Sequence, residues 1–206
     1  MSGSLAFRIR QRICAVDVRL LRQITLALLR EYFSQERWEL SIHLVTAPEM
    51  ANLNERFLGH PGSTDVIAFD YADTVGQASR LSRKAESLSK REATTSTPDA
   101  AKLIRDRRDA CPTVHGDIFV CLDDAVAQAR QFRTTWQSEL VRYVIHGLLH
   151  LRGYDDRHPA ARRKMKREEN RRLREITRRF PLAQIGTRTS QRGRKQPAIR
   201  AARSAF

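Results

Sequence analysis

A chain of 206 residues with 41% hydrophobic residues is long enough for one well-packed domain and cramped for two. Its three cysteines, Cys14, Cys111 and Cys121, form no C-x-x-C pair, which argues against a disulfide framework and a cysteine zinc site. No run of about 18 apolar residues occurs, and the arginine-bearing start lacks a signal-peptide core, so a cytoplasmic protein without a membrane span is expected.

The net charge of +15 is unevenly placed: Arg157 to Phe206 holds 17 Lys or Arg against three acids. Such a basic end is the footprint of a polyanionic partner, RNA or DNA ahead of an anionic membrane, against the plainer reading of a solvated tail.

In chain order, Leu5 to Ile13 alternates as a strand, and Asp17 caps a helix with Leu21, Ile24 and Leu28 at helical spacing. Trp38 to Val45 alternates again. Thr46 and Glu49 read as a T-x-x-E capping box, with Pro48 in the first turn and a stripe of Met50, Leu53 and Phe57. After the turn Gly59 to Ser63, "TDVIAFDY" is a short buried strand. Residues 72–112 are rich in Ser, Thr, Arg, Lys and Ala without a period, and are predicted to be a disordered insertion. A strand, His115 to Leu122, leads into a short helix, Asp123 to Phe132. A longer helix, Trp136 to Leu151, turns Leu140, Val144 and Leu148 inward and ends at Gly153. The last helix, Pro159 to Arg179, has a thin stripe of Met165, Leu173, Ile176 and Phe180. The expectation is one α+β domain over 1–181, a small mixed β-sheet packed with several helices, followed by a basic disordered tail, 182–206.

The sharpest local pattern is "HGLLHLRGYDDRH", His146 to His158. His146 and His150 stand four apart on a predicted helix, so both imidazoles leave one face a turn apart and can share one Zn²⁺. Gly153 lets the chain turn back, so a loop residue can complete the site, as in the H-E-x-x-H-x-x-G-x-x-H pattern of metzincins. The matching third-ligand position is Asp156, with His158 as the alternative third ligand. Two histidines on one helix face also arise by chance; the glycine and the trailing Asp and His favour a metal site on the central helix and following loop. Gly147 stands where zincin proteases carry a Glu general base, which argues against peptidase chemistry. Glu139 and Tyr143 share the His146 face. His43, His60 and His115 read as ordinary strand or loop histidines, and Asp117 as a strand-end cap.

These segments resemble the YbeY family. "HGLLHLRGYDD", with Met165 downstream, is similar to its signature H-G-x-L-H-L-x-G-Y-D-H. "LNERFLGHPGSTDVIAF" (Leu53 to Phe69) and "GDIFVCLDDAVAQA" (Gly116 to Ala129) resemble two further family stretches. The resemblance covers the expected folded part, but neither the insertion nor the tail. It implies a single-strand-specific, zinc-dependent endoribonuclease with one Zn²⁺ per chain, acting in ribosomal RNA maturation and ribosome quality control. Single-stranded RNA, ribosomal RNA and the small ribosomal subunit are the implied partners. His146, His150 and Asp156 would be the ligands, with the family's final His replaced by Asp, a competent but less electrophilic choice. The family's phosphate-contacting Arg is replaced by Leu58, which leaves Arg56 as a candidate substitute beside Thr64 and Asp65. Arg188, Arg192, Arg194 and Lys195 in the tail are the candidate RNA contacts. The alternative is a non-catalytic ribosome assembly factor whose metal is structural.

Overall fold

The computed structural model describes residues 3–34, 37–71 and 113–186. The predicted insertion, together with Arg188, Arg192, Arg194 and Lys195, lies outside the described residues. The elements in order are β1 (Ser4–Ile9), α1 (Val18–Tyr32), β2 (Arg37–Val45), α2 (Ala47–Leu58), β3 (Val66–Asp70), β4 (Thr113–Cys121), α3 (Leu122–Phe132), α4 (Trp136–Leu151) and α5 (Pro159–Arg179). A 3₁₀ turn, Leu182–Ile185, follows.

Among the described residues the strands form one mixed sheet in the order β1-β2-β4-β3. β1, β2 and β4 are parallel and β3 runs antiparallel to β4. A parallel pair needs a crossover, which α1 supplies between β1 and β2. Side chains alternate across the sheet, so Leu5, Leu40, Ile42, Leu44, Ile118 and Val120 enter the main core with α1 and α4. Val45, Ile67 and Cys121 face the other way and form a small second cluster with Met50 of α2.

Helix α4 is the central element. It buries Leu140, Val144 and Leu148 as predicted, but also Val141, Ile145 and Leu149, and it packs on β3, β4, α1, α3 and α5. A helix apolar over most of its circumference belongs in a core, with the strip that holds Arg142, His146 and His150 left polar. Gly147 sits at its closest approach to the sheet, where an added Cβ would lie 2.5 Å from Ile118 Cγ2 and 3.3 Å from Val66 Cγ1. Residue 147 therefore faces the sheet. Gly147→Ala is expected to lower stability by about 1–3 kcal/mol through overpacking, seen as a lower denaturation midpoint. An unchanged midpoint would contradict this packing.

Several sequence expectations are corrected. Strand β1 stops at Ile9 rather than Ile13, because Gln11 diverts the chain: its Oε1 accepts from Ile13 N (2.7 Å) and Cys14 N (3.1 Å). Thr46 is the N-cap of α2, yet its side chain makes no capping bond. Instead Asp123 Oδ2 accepts from Ala47 N at 2.6 Å, while Glu49 pairs with Arg10 at 2.7 Å. Phe57 ends the expected stripe 53% exposed, edge-on to Phe69. The tail boundary also moves. Leu182 and Ile185 are buried, and Gly186 bridges to Val16, so the packed chain continues past 181.

Candidate metal centre

His146 and His150 project from the same face of α4, with their Nε2 atoms 3.1 Å apart. Past the helix end, Gly153 adopts φ +83°, a left-handed conformation open to glycine at little cost. That turn brings Tyr154 N back to Leu149 O at 3.0 Å and returns the following loop to the helix. Asp156 on this loop places Oδ2 4.0 Å from His146 Nε2. One donor atom from each of His146, His150 and Asp156 lies within 4.8 Å of the others. His158 is exposed at the N-cap of α5, outside this group.

The second ring nitrogens fix how these donors face. His150 Nδ1 lies 3.2 Å from Tyr154 O, a carbonyl that only accepts, so Nδ1 carries the proton. His146 Nδ1 lies 3.1 Å from Glu169 Oε2 and donates to that carboxylate. In the neutral rings both Nε2 lone pairs then point at one another across 3.1 Å, which calls for a cation or a shared proton. Donors on a tetrahedral zinc at 2.0–2.1 Å stand roughly 3.3–3.5 Å apart. The Nε2 pair, at 3.1 Å, stands close to that spacing and the Asp156 carboxylate, 4.0 Å from His146 Nε2, slightly beyond it. Two imidazoles with a carboxylate are a donor set that fits a small divalent ion.

Electrostatics match this geometry. At His146, burial is the largest influence and opposes charge, but the Glu169 bond and the charges of Asp65, Glu169 and Asp156 outweigh it and raise the pKa. At His150, burial and the charge of His146 lower it. Glu169 is buried; burial alone would raise its pKa, and the bonds from His146 and Arg142 hold it below the ordinary value. Arg142 spans this network, donating from Nε to Glu139 (3.1 Å) and from one terminal nitrogen to Glu169 (2.7 Å) and Asn170 (2.8 Å).

Glu169 and Arg142 do not stand out in the sequence, although a signal is there. Glu169 falls on the Met165, Leu173 and Ile176 stripe of α5, where an acid implies a buried partner. Glu139, noted for its face, is buried and also accepts from Thr134. Asp65 lines the same cavity as His146, and its Oδ1 accepts from Val66 N and Thr64 Oγ1. Arg56 is exposed, its guanidinium over the Phe57 ring and outside the cavity wall; Leu58 is exposed too. Asp117 is no strand-end cap: it sits within β4, accepts from Tyr71 Oη (3.0 Å) and lies 3.6 Å from buried His43.

A small mixed sheet thus carries a central helix whose His-x-x-x-His pair and a glycine-turned carboxylate could together hold one metal ion. The family model described as Endoribonuclease YbeY matches residues 9–177, most of the chain, and the chain belongs to that family. Among curated relatives, "Endoribonuclease YbeY" of Salinibacter ruber is 30% identical over 131 residues, 64% of this chain and 66% of its own length. The Acidothermus cellulolyticus protein of the same name is 36% identical over 127 residues, 62% of this chain and 63% of its own. The chain thus spans slightly less than two thirds of these relatives. It is also similar to the solution structure of TM1509 from Thermotoga maritima, with TM-score 0.49 and 19% identity, covering 94% of this chain and 100% of that one.

Proposed function

We propose that the chain is a metal-dependent endoribonuclease that cleaves single-stranded RNA, with one zinc ion held by His146, His150 and Asp156. The observation that carries this reading is the convergence of the three donors, with His146 and His150 each holding the second ring proton on a fixed acceptor. Oriented second nitrogens are the usual support of histidine ligands. When bound, the ion supplies Lewis acidity, polarising a phosphoryl oxygen and making water a better nucleophile near neutral pH. Glu169 holds the His146 ring, and Tyr154 O holds the His150 ring. Asp65 offers a carboxylate at the cavity wall to take a proton from the attacking water. Arg162, whose Nε donates to Asp156 O at 3.0 Å, ties the ligand loop to α5 and brings positive charge to the phosphate.

Ribosomal RNA maturation and ribosome quality control, acting on the small subunit in the cytoplasm, are the setting that family membership supports. The assembly-factor alternative requires a closed structural site of four protein ligands. Among the described residues the converging donors are His146, His150 and Asp156, and the number of protein ligands on the bound ion separates the two forms. No helix among them is long and apolar enough to cross a membrane. The test is incubation of purified protein with labelled single-stranded and duplex RNA. Internal cleavage of the single strand alone is expected, and no cleavage with any divalent metal supplied would leave the assembly-factor reading in place.

Two further outcomes follow. Asp156→Ala should lose metal, Asp156→His should keep it, and His158→Ala should leave content unchanged; metal lost only in His158→Ala would reverse the assignment. Because Leu182 and Ile185 are core residues, the tail is testable only by truncation after Gly186. Removing 187–206 deletes six Lys or Arg and no acid. RNA affinity should fall, and the slope of log K against log salt should become shallower by about 0.7 for each phosphate that the tail neutralises. An identical affinity and slope would make the tail a bystander.

A further inference from the structure

The cavity beside His146 has a volume of about 520 Å³, inside the roughly 300–1,000 Å³ range of small-ligand sites. It extends from the metal centre toward the end of α3, and one wall is Phe132. This residue continues the stripe of Leu122, Ala125 and Ala129 that α3 buries, at the same helical spacing, yet it is 62% exposed. The stripe runs off the core and onto the cavity. Arg133 follows in a left-handed conformation, φ 54°, which ends α3 at this aromatic. Helix α5 also lines the cavity, with Arg162 and Lys166 exposed and Asn170 beside them in the lining. Arg142 binds Asn170 Oδ1 and leaves the amide nitrogen as the donor end. The Tyr143 hydroxyl, buried in the wall, has no hydrogen-bond partner among the described residues. Four carboxylates also line the cavity, but Glu139 and Glu169 are paired with Arg142, Asp156 belongs to the metal donor set and Asp65 accepts from Val66 N. The apolar ring, the polar groups and the two exposed cations are left to complement a single nucleotide.

We propose that this cavity is a base-binding subsite in which Phe132 stacks an unpaired RNA base while Arg162 and Lys166 hold the adjoining phosphate. The subsite rests on the endoribonuclease reading for its role but not for its binding. It accounts for single-strand preference physically, since a base inside a duplex cannot leave its stack for the pocket without unpairing. Stacking on an aromatic ring tolerates any base, so selectivity would come from the polar groups at the pocket edge.

The test is binding of a short single-stranded RNA to the full chain, in chelator so that no cleavage intervenes, with one abasic residue moved along the oligonucleotide. For the unaltered protein, an abasic residue at one position should weaken binding by about 5- to 150-fold, the usual worth of one stacked base. Phe132→Ala should bind the intact oligonucleotide that much more weakly and be insensitive to the abasic residue at that position, whereas Phe132→Tyr should behave like the parent. Phe132 is exposed, so thermal unfolding of Phe132→Ala should match the parent, which separates loss of stacking from loss of fold. Equal binding at every abasic position, or the same abasic loss in Phe132→Ala, would overturn the proposal. RNA that binds with the abasic signature but is never cut would refute the nuclease reading and leave the subsite standing. RNA that is cut without any abasic signature would do the reverse.

Discussion

His150→Ala should empty the metal centre and reduce RNA cleavage by about 10³-fold, the several kcal/mol that an electrophilic ion contributes to such a reaction. The substitution removes one of two nitrogen donors 3.1 Å apart and leaves His146 with a single carboxylate. The fold should persist. His150 is half-buried at the end of α4, and its one fold-related bond, to Tyr154 O, is worth on the order of 1 kcal/mol. Elemental analysis beside thermal unfolding separates the outcomes. Metal lost with an unchanged unfolding midpoint is the expected pattern. Full metal occupancy in His150→Ala would show that the ion sits elsewhere.

Arg142→Ala should be the most destabilising single change in the site. Its guanidinium is the shared partner of Glu139 and Glu169, whose side chains are only 7% and 9% exposed. Breaking a buried ion pair by deleting one partner costs about 3–5 kcal/mol, because the remaining charge stays buried without its counterion. For a chain of this size that is a fall in unfolding temperature of roughly 6–20 °C. Lysine should rescue only part of it, since one ammonium cannot reproduce a fork that reaches Glu139, Glu169 and Asn170 together. Metal affinity should drop as well, by about 10- to 100-fold, because Glu169 would no longer be held against His146. A variant with parental stability and metal affinity would remove the network from the account.

How much of this is legible in the sequence depends on how local the deciding interaction is. Asp17 caps α1 with its own side chain, accepting from Arg19 N and Leu20 N, and that is a short-range pattern. Helix α5 lies between Pro159 and Pro181, and its bounds follow from those residues. The His-x-x-x-His pair and its glycine turn are likewise local, so the donor set can be named before its geometry is known. The capping box at Thr46 fails because a better partner, Asp123, arrives from 76 residues away. Gln11 ends β1 through side-chain bonds that strand alternation does not encode. Leu182 and Ile185 are two apolar residues in a polar stretch, and only the Val16 bridge and the core behind them give that spacing meaning. Glu169 is hidden by its surroundings. An acid among many arginines reads as solvated, until the helical stripe it shares with Met165 and Leu173 is placed against α4.

The most direct test of the central claim is metal content measured together with single-stranded RNA cleavage, before chelation, after it, and after readdition of zinc. The expected result is about one equivalent of metal per chain, cleavage lost on chelation and restored by the metal, and no restoration in His146→Ala. Cleavage that survives complete metal removal, or a purified protein that binds no divalent ion while its histidine pair is intact, would contradict the account.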